Sequence, residues 1–178
     1  MVREGYKLLE ELGAVSERGR LTSVGRKMAR LPIDPKLARI ILEAGEHNAL
    51  TETLVIVSAL SVQDPRERPS EKQTQSDQAH ARFQHEASDF LSWVNLWKYV
   101  EEQRQALSQN QFRKRLKQEF LSYLRLREWR DIHSQLSLAS RQLGYKVRAN
   151  LPDEHHYEGV HRARLAGFLG QIAQQDEG

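Results

Sequence analysis

The sequence predicts an all-α chain that carries one small β-hairpin near its amino end. Leu, Ala, Glu, Gln, Arg and Lys dominate its 178 residues, and Gly and Pro are sparse over long stretches, a composition that favours helix. Apolar residues recur at intervals of three and four over most of the chain, which is the period of an amphipathic helix. Hydrophobic residues make up 39% of the chain, so it is polar but able to form a packed core.

The first elements are a helix, a hairpin and a helix. Leucines on one side of residues 6–12 predict a short helix. Residues 14–21 predict the hairpin, with Gly19 in its turn. Thr22 is an N-cap residue for the following helix, because its hydroxyl is able to accept a hydrogen bond from the first turn, and Pro32 stops that helix.

Asp34 and Pro35 predict the start of a further helix, with Asp as N-cap and Pro at the first helical position. The order helix, hairpin, helix in residues 1–44 resembles the C-terminal part of a winged-helix domain. The leading helix of such a domain is not found in the sequence. We therefore expect the chain to begin partway through that domain.

Residues 45–175 predict a helical bundle. Thr51 is the expected cap of its first helix, and residues 54–62 are apolar nearly all round, so this helix is expected to be the core of the bundle. Residues 64–85 are polar and contain two prolines, which predicts a long loop with at most short helical turns.

The rest of the bundle is predicted from caps and apolar stripes. Ser88 and Ser108 each begin a helix. Along the second of these the apolar stripe advances by threes, too fast for one straight helix, so a break is expected at 122–127. Gly144 ends the second half, and residues 160–174 predict a final amphipathic helix.

Several classes of function are excluded or disfavoured by the sequence. The chain has no cysteine, hence no disulfide, thiolate nucleophile or thiolate zinc site. No glycine-rich loop ends in Lys-Ser or Lys-Thr, so the chain itself is not expected to hydrolyse ATP. No nucleophile elbow, signal peptide or membrane-length apolar run is present, and the expected compartment is the cytoplasm.

A metal site is also not expected. Three histidines cluster with two carboxylates close to the carboxyl end, namely His155, His156, His161, Asp153 and Glu154. Imidazole and carboxylate bind zinc, but this spacing matches no pair on one helix face and favours a solvated loop.

Positive charge is concentrated in the second half of the chain. Residues 111–148 hold ten Lys or Arg and three Asp or Glu, a local net charge of +7 against +3 for the whole chain. Such a stretch is either a solvated helix face or a surface that attracts polyanions. Arg125, Arg127 and Arg130 flank the predicted break, where arginine forks and helix N–H groups suit phosphate oxygens. The aromatics Trp93, Trp97, Trp129, Phe112 and Phe120 lie on apolar stripes and are predicted to pack in the core.

Several stretches together resemble one family. The letters LTSVGRKMA at 21–29 and LPIDPKLA at 31–38 resemble the junction between winged helix and helical bundle in DEAH-box RNA helicases, most like the bacterial HrpA-type members. Further similar stretches are IVSALSVQ at 56–63, VNLW at 94–97, FLSY at 120–123 and VHRA at 160–163.

The resemblance implies a helicase-associated, ratchet-like domain. In that family the domain lies beside two RecA-like motor domains and an OB domain, and helps to enclose single-stranded RNA. ATP and Mg²⁺ then belong to the motor domains of a longer protein, and this chain needs no cofactor. RNA-binding candidates are Arg125, Arg127 and Arg130 from the matching block, Ser122, where the family often has Asn, and Arg113 and Lys117 from the basic stretch.

Two other functions stay open on the sequence alone. The bundle is alternatively a protein-interaction module that docks on the motor and OB domains without touching RNA. A free-standing winged-helix DNA regulator is the third class. The missing first helix and the weak positive charge of residues 26–39 both argue against it.

Overall fold

The structure is a computed structural model, and it describes residues 2–84, 89–148 and 151. These residues form eight α-helices: α1 (Val2–Glu11), α2 (Ser23–Ala29), α3 (Pro35–Glu46), α4 (Leu50–Leu60), α5 (Gln73–Ala81), α6 (Asp89–Ala106), α7 (Gln109–Gln118) and α8 (Tyr123–Gln142). A 3₁₀ turn, Ser70–Lys72, leads into α5. The predicted helical architecture is therefore confirmed for the described residues, and none of their helices has both the length and the apolar character to cross a bilayer.

Three predictions concern residues outside the described part of the chain. These are the cap at Ser88, the helix at 160–174 and the histidine cluster His155, His156 and His161.

The predicted hairpin near the amino end is wrong, because residues 14–21 form a turn without strands. Val15 and Leu21 pair as one isolated antiparallel bridge. The pairing extends no further because α1 ends just before this turn and α2 begins just after it. The Val15 N–H already donates to the Leu9 carbonyl near the end of α1 (3.4 Å), and Thr22 begins α2.

Most of the predicted helix ends are confirmed. The hydroxyl of Thr22 accepts a backbone N–H from the first turn of α2 at 3.0 Å, and the carboxylate of Asp34 does the same for α3 at 2.9 Å. Ser108 caps α7 in a capping box. Gly144 follows α8 with a φ of 92°, a left-handed conformation that glycine adopts without steric cost.

The predicted cap at Thr51 is wrong, because α4 begins at Leu50 and Thr51 lies in its first turn. Asn48 has a left-handed φ of 57° between α3 and α4, and the Ala49 N–H donates back to α3 at 3.0 Å. This tight connection starts α4 earlier than capping chemistry indicates. The Thr51 hydroxyl accepts instead from the Arg148 N–H at 3.4 Å.

Helix α4 is buried nearly all round, as predicted, and it contributes side chains to both of the described hydrophobic clusters. One group of its side chains packs with α6, α7 and α8: Val55, Ile56 and Ala59. A second group packs with α2, α3 and the carboxyl half of α8: Leu50, Leu54 and Val57. Because α4 contributes to both clusters, it fixes the position of α8 relative to α6.

Residues 64–84 contain more helix than the short turns predicted for them. Apolar periodicity gives no signal here, and long-range polar contacts hold α5 instead. Arg68 makes two hydrogen bonds of 2.8 Å to Asp77. His80 Nε2 lies 3.0 and 3.1 Å from two carbonyl oxygens just after α7. Since both partners are acceptors, Nε2 carries the proton and donates.

A break between α7 and α8 is confirmed, but it lies at residues 119–122, just before most of the predicted 122–127 window. The apolar stripe of threes that predicted it lies within the unbroken helix α8. Phe120 adopts a left-handed φ of 57°, and Ser122 then caps α8. The exposed peptide groups of the break pair with a passing loop. The Ser122 N–H donates to the Pro65 carbonyl and the Glu67 N–H to the Phe120 carbonyl, both at 2.8 Å. This pairing offsets the cost of a bulky residue in the left-handed region.

A Gly25→Ala substitution is expected to lower the free energy of unfolding by about 1–3 kcal/mol, the usual cost of overpacking. A Cβ on Gly25 would overlap the carbonyl oxygen of Ala14, which accepts from both the N–H and the hydroxyl of Thr22. Urea denaturation followed by circular dichroism measures the change.

The matched control is Gly5→Ala, since a Cβ at Gly5 in α1 meets no atom within 4 Å. This control should be neutral or slightly stabilising, because Ala is the better helix former. Equal stability of the two variants would contradict the close approach of α2 to the 14–21 turn.

Candidate nucleic-acid interface

A cleft of about 70 Å³ opens between α6, α7 and α8. Its floor is aromatic and aliphatic, formed by Trp97, Val100, Phe112, Leu126 and Trp129. Its rim is polar and mostly charged, formed by Glu101, Arg104, Tyr123, Arg127 and Arg130. Three arginines against one glutamate leave the rim with a net charge of +2, so the cleft favours an anionic ligand.

The floor of the cleft is fixed by Trp129, which is 1% exposed. Its indole N–H donates to the Val55 carbonyl (2.9 Å) and to the Ser58 hydroxyl (3.0 Å) on α4. The rings of Trp93 and Trp97 on α6 meet it edge-on, with centroids 5.8 and 5.0 Å away. The prediction that the tryptophans pack in the core is confirmed, although Trp97 also lines the cleft.

The two other aromatics follow the same prediction to different degrees. Phe112 is buried in α7 and packs edge-on against Tyr123, with ring centroids 6.3 Å apart. Phe120 lies in the break and is half-buried. Phe112 therefore packs in the core as predicted, whereas Phe120 belongs to neither of the described hydrophobic clusters.

The charged rim is organised around Glu101. Its Oε2 accepts from Arg104 Nη2 at 2.9 Å, and its Oε1 lies 3.5 Å from Arg130 Nε. The Nε of Arg104 is buried and has no hydrogen-bond partner in the structure. Arg127 is exposed beside this group. One carboxylate therefore neutralises part of a cluster of three guanidinium groups.

The rim continues onto α7 through Tyr123. The guanidinium of Arg113 lies 4.3 Å from the Tyr123 ring centroid, a cation–π distance. Hydrogen bonding by Arg113 and then by Gln109 lowers the pKa of the Tyr123 hydroxyl, and the charges of Arg113 and Arg127 add to this effect. Arg113, Tyr123 and Arg127 thus form one continuous positive edge.

The structure brings together only some of the six predicted site residues. Arg127 and Arg130 lie on the cleft, and Arg113 lies next to it. Arg125 points the other way, where its Nη1 donates to the Asp64 carbonyl at 3.0 Å. The Ser122 hydroxyl accepts from the Arg125 N–H at 3.3 Å as the cap of α8.

Lys117 is exposed on α7 and does not line the cleft. Contact of any of the six with RNA stays a prediction, and the geometry favours Arg113, Arg127 and Arg130 over the other three.

Sequence reasoning missed Glu101, Arg104 and Tyr123. A usable signal was present, because Trp97, Glu101 and Arg104 are spaced four and three apart and so share one face of α6. The sequence pattern predicts only core packing for this helix, through Trp93 and Trp97. The basic residues of α7 and α8 are noticeable in the sequence because they are dense. Arg104 is not, because it is a single arginine near the end of α6.

His133 lies beside the cleft, with its ring centroid 4.4 Å from that of Trp97. Burial lowers the pKa of His133 to about 4. The negative charge of Glu101 opposes this shift, while the positive charges of Arg141 and Arg130 add to it. His133 is therefore neutral at physiological pH, and its titration senses the charges of the rim.

Comparison with known proteins identifies the class. Residues 6–33 match the family described as helicase associated domain (HA2), winged-helix, and residues 34–93 match helicase associated domain (HA2), ratchet-like. Residues 6–93 therefore carry the two parts of a helicase-associated (HA2) domain, a winged-helix part followed by a ratchet-like part. The resemblance inferred from the sequence motifs is confirmed.

Two relatives show which kind of helicase carries a similar region. Over 98% of its length the chain is 47% identical to the ATP-dependent RNA helicase HrpA of Escherichia coli (strain K12). It is 45% identical, again over 98% of its length, to the ATP-dependent RNA helicase HrpA homolog of Haemophilus influenzae (strain ATCC 51907 / DSM 11121 / KW20 / Rd). The chain spans 14% of the length of each of these relatives.

The low pKa of His133 predicts a pH dependence of stability. The unfolded chain takes up this proton near pH 6.5 and the folded chain only near pH 4. Between these values the unfolded state binds more protons, so the free energy of unfolding falls as the pH is lowered from about 6.5 to about 4. The loss amounts to about 3 kcal/mol and is complete below that window. Urea denaturation at a series of pH values measures it.

His133→Gln is the control, and it should remove this part of the pH dependence while leaving the contributions of other groups. An NMR titration of His133 with a midpoint near 6.5 would contradict the half-buried imidazole that is neutral above pH 4.

Proposed function

We propose that this chain forms part of the wall of a single-stranded RNA channel in an ATP-dependent RNA helicase. The observation that carries the proposal is the positive rim over an aromatic floor, with Arg127 and Arg130 one helical turn apart and Arg113 beside them. RNA is proposed as the ligand because both relatives are named RNA helicases. The positive rim is a surface suited to the phosphates of the RNA backbone.

The geometry favours contact with phosphates over contact with bases. Arginine presents a planar fork of donors that matches phosphate oxygens. The cleft is small, at about 70 Å³, and the Trp97 ring that lines it is held edge-on against Trp129. Phosphate contacts hold a strand in position but carry little sequence information. The chain is thus suited to grip RNA of any sequence.

The proposal includes a division of labour with other domains of a longer polypeptide. ATP and Mg²⁺ would be bound by RecA-like motor domains elsewhere in a longer polypeptide, with an OB domain as a further neighbour. This chain would hold the RNA backbone in the cytoplasm while those motor domains change conformation. It would not itself generate force.

The alternative is a docking module that supports the motor and OB domains without touching RNA. Two large apolar side chains on α8 favour it: Leu124 is 68% exposed and Leu138 is 56% exposed. They are fourteen residues apart and so lie within about 40° of each other around the helix. Leucines exposed in this way are common at interfaces, yet single exposed residues are also normal on monomers.

The double substitution Arg127→Ala with Arg130→Ala tests the RNA proposal. Affinity for a labelled single-stranded RNA should fall about tenfold, which corresponds to about 1.4 kcal/mol. The slope of log affinity against log salt should shrink by about 0.7 for each phosphate that the variant no longer neutralises. Fluorescence anisotropy at several salt concentrations measures both quantities.

The matched control is Arg18→Ala with Arg20→Ala, which removes the same charge from the exposed 16–21 turn. If both double variants lose affinity equally, the effect is one of net charge and the cleft is not the site. Unchanged RNA affinity in the cleft variant, together with concentration-dependent light scattering that a Leu124→Ser, Leu138→Ser variant abolishes, would favour the docking module.

A further inference from the structure

We propose that Glu101 is an internal counter-ion that occupies the position of an RNA phosphate, so that the cleft accepts a strand with several consecutive phosphates and rejects isolated phosphate groups. This inference rests on the proposed function and adds to it a residue that determines selectivity.

The contacts of Glu101 resemble those of a bound anion. Its two carboxylate oxygens face two different guanidinium groups, Arg104 at 2.9 Å and Arg130 at 3.5 Å. The carboxylate is 24% exposed, so solvent screens it less than a surface charge, and a ligand is still able to reach it. Two oxygens shared between two arginines is also the arrangement a phosphodiester group would adopt there.

The cluster is incompletely satisfied in this state. The Nε of Arg104 is a buried donor without an acceptor, although its neighbouring Nη2 is bound to Glu101. Buried donors usually have a partner. Arg130 is only loosely paired at 3.5 Å, and its side chain is 46% exposed. Glu101 therefore holds the arginines in place without using all of their donors.

Selectivity follows from competition with this carboxylate. A ligand with one phosphate must displace Glu101 from Arg130 and gains few contacts in return. A strand gains further contacts at Arg127 and Arg113 along the same edge, and it releases more counter-ions. Displacement of Glu101 is thus favourable only for a polyanion.

His133 supplies an independent reporter of this exchange. Its ring lies against that of Trp97 at an angle of 42°, and Trp97 lines the cleft one turn before Glu101. The charges that face it are Glu101, Arg130 and Arg141. Removal of the Glu101 charge should lower the pKa of His133 further, and the arrival of a phosphate should raise it.

The test compares Glu101→Gln with Glu102→Gln. Both variants lose one negative charge from adjacent positions of α6, but Glu102 is exposed and makes no ion pair within the described residues. Binding of the dinucleotide UpU, which has one phosphate, and of an oligo(U) of about twelve nucleotides is measured by NMR and by anisotropy.

Relative to Glu102→Gln, the Glu101→Gln variant should bind oligo(U) about fivefold more tightly, the size expected from freeing a partly buried ion pair. UpU should gain by a similar factor, because both ligands displace the same carboxylate, and its binding should then become measurable. The pKa of His133 should fall in this variant and rise again when UpU is added.

Equal affinities in the two variants, or weaker binding by Glu101→Gln, would overturn the counter-ion proposal. The proposed function would still stand after that result if the Arg127 and Arg130 double variant loses RNA affinity. If that double variant binds RNA as tightly as the unchanged chain, the proposed function is also overturned. Should Glu101→Gln not fold, Glu101→Asp serves instead. It keeps the charge but shortens the reach to Arg130, and it should give a smaller change of the same sign.

Discussion

The indole N–H of Trp129 joins α8 to α4, and the position of the cleft depends on this contact. It donates to α4 at the Val55 carbonyl and the Ser58 hydroxyl, and the same ring forms the cleft floor beneath α6. A buried donor of this kind is costly to leave unpaired, so it fixes the rotation of α8 against α4. Since Arg130 follows Trp129 directly in the chain, that rotation also decides where the guanidinium lies.

A second constraint acts at the break between α7 and α8. The loop at 65–67 pairs with the peptide groups of the break, and His80 donates to the carbonyl oxygens that end α7. Tyr99 and Arg82 bind the Glu119 carboxylate at 2.5 and 2.9 Å, and burial with this contact raises the pKa of Tyr99. These contacts orient α7 so that Arg113 reaches Tyr123, which extends the positive edge beyond the cleft.

Local chemistry in the sequence was sufficient to predict most of the helices and most of their caps, because Thr22, Asp34 and Ser108 act through their own side chains. The break was expected from an apolar stripe that in fact lies within the unbroken helix α8, and the peptide groups of the break pair instead with the loop at 65–67. The failures depend on backbone conformation and on polar contacts, which leave no apolar pattern in the sequence. The start of α4 is set by a left-handed Asn48, and α5 is held by the Arg68 and Asp77 pair, neither of which has a periodic signal.

The candidate site was predictable only in part for the same reason. Charge density located the basic half of the chain, but it could not show that Arg125 is used to hold the Asp64 carbonyl. Nor could it show that α6 contributes Arg104 and Glu101 to the rim.

The most direct measurement is photo-crosslinking of a 4-thiouridine-labelled single-stranded RNA to this chain, with the modified peptides identified by mass spectrometry. The cleft should yield adducts in the α6 peptide that contains Trp97 and in the α8 peptide that contains Tyr123. Adducts confined to α1, α2 and α3, with none on α6 or α8, would contradict the assignment.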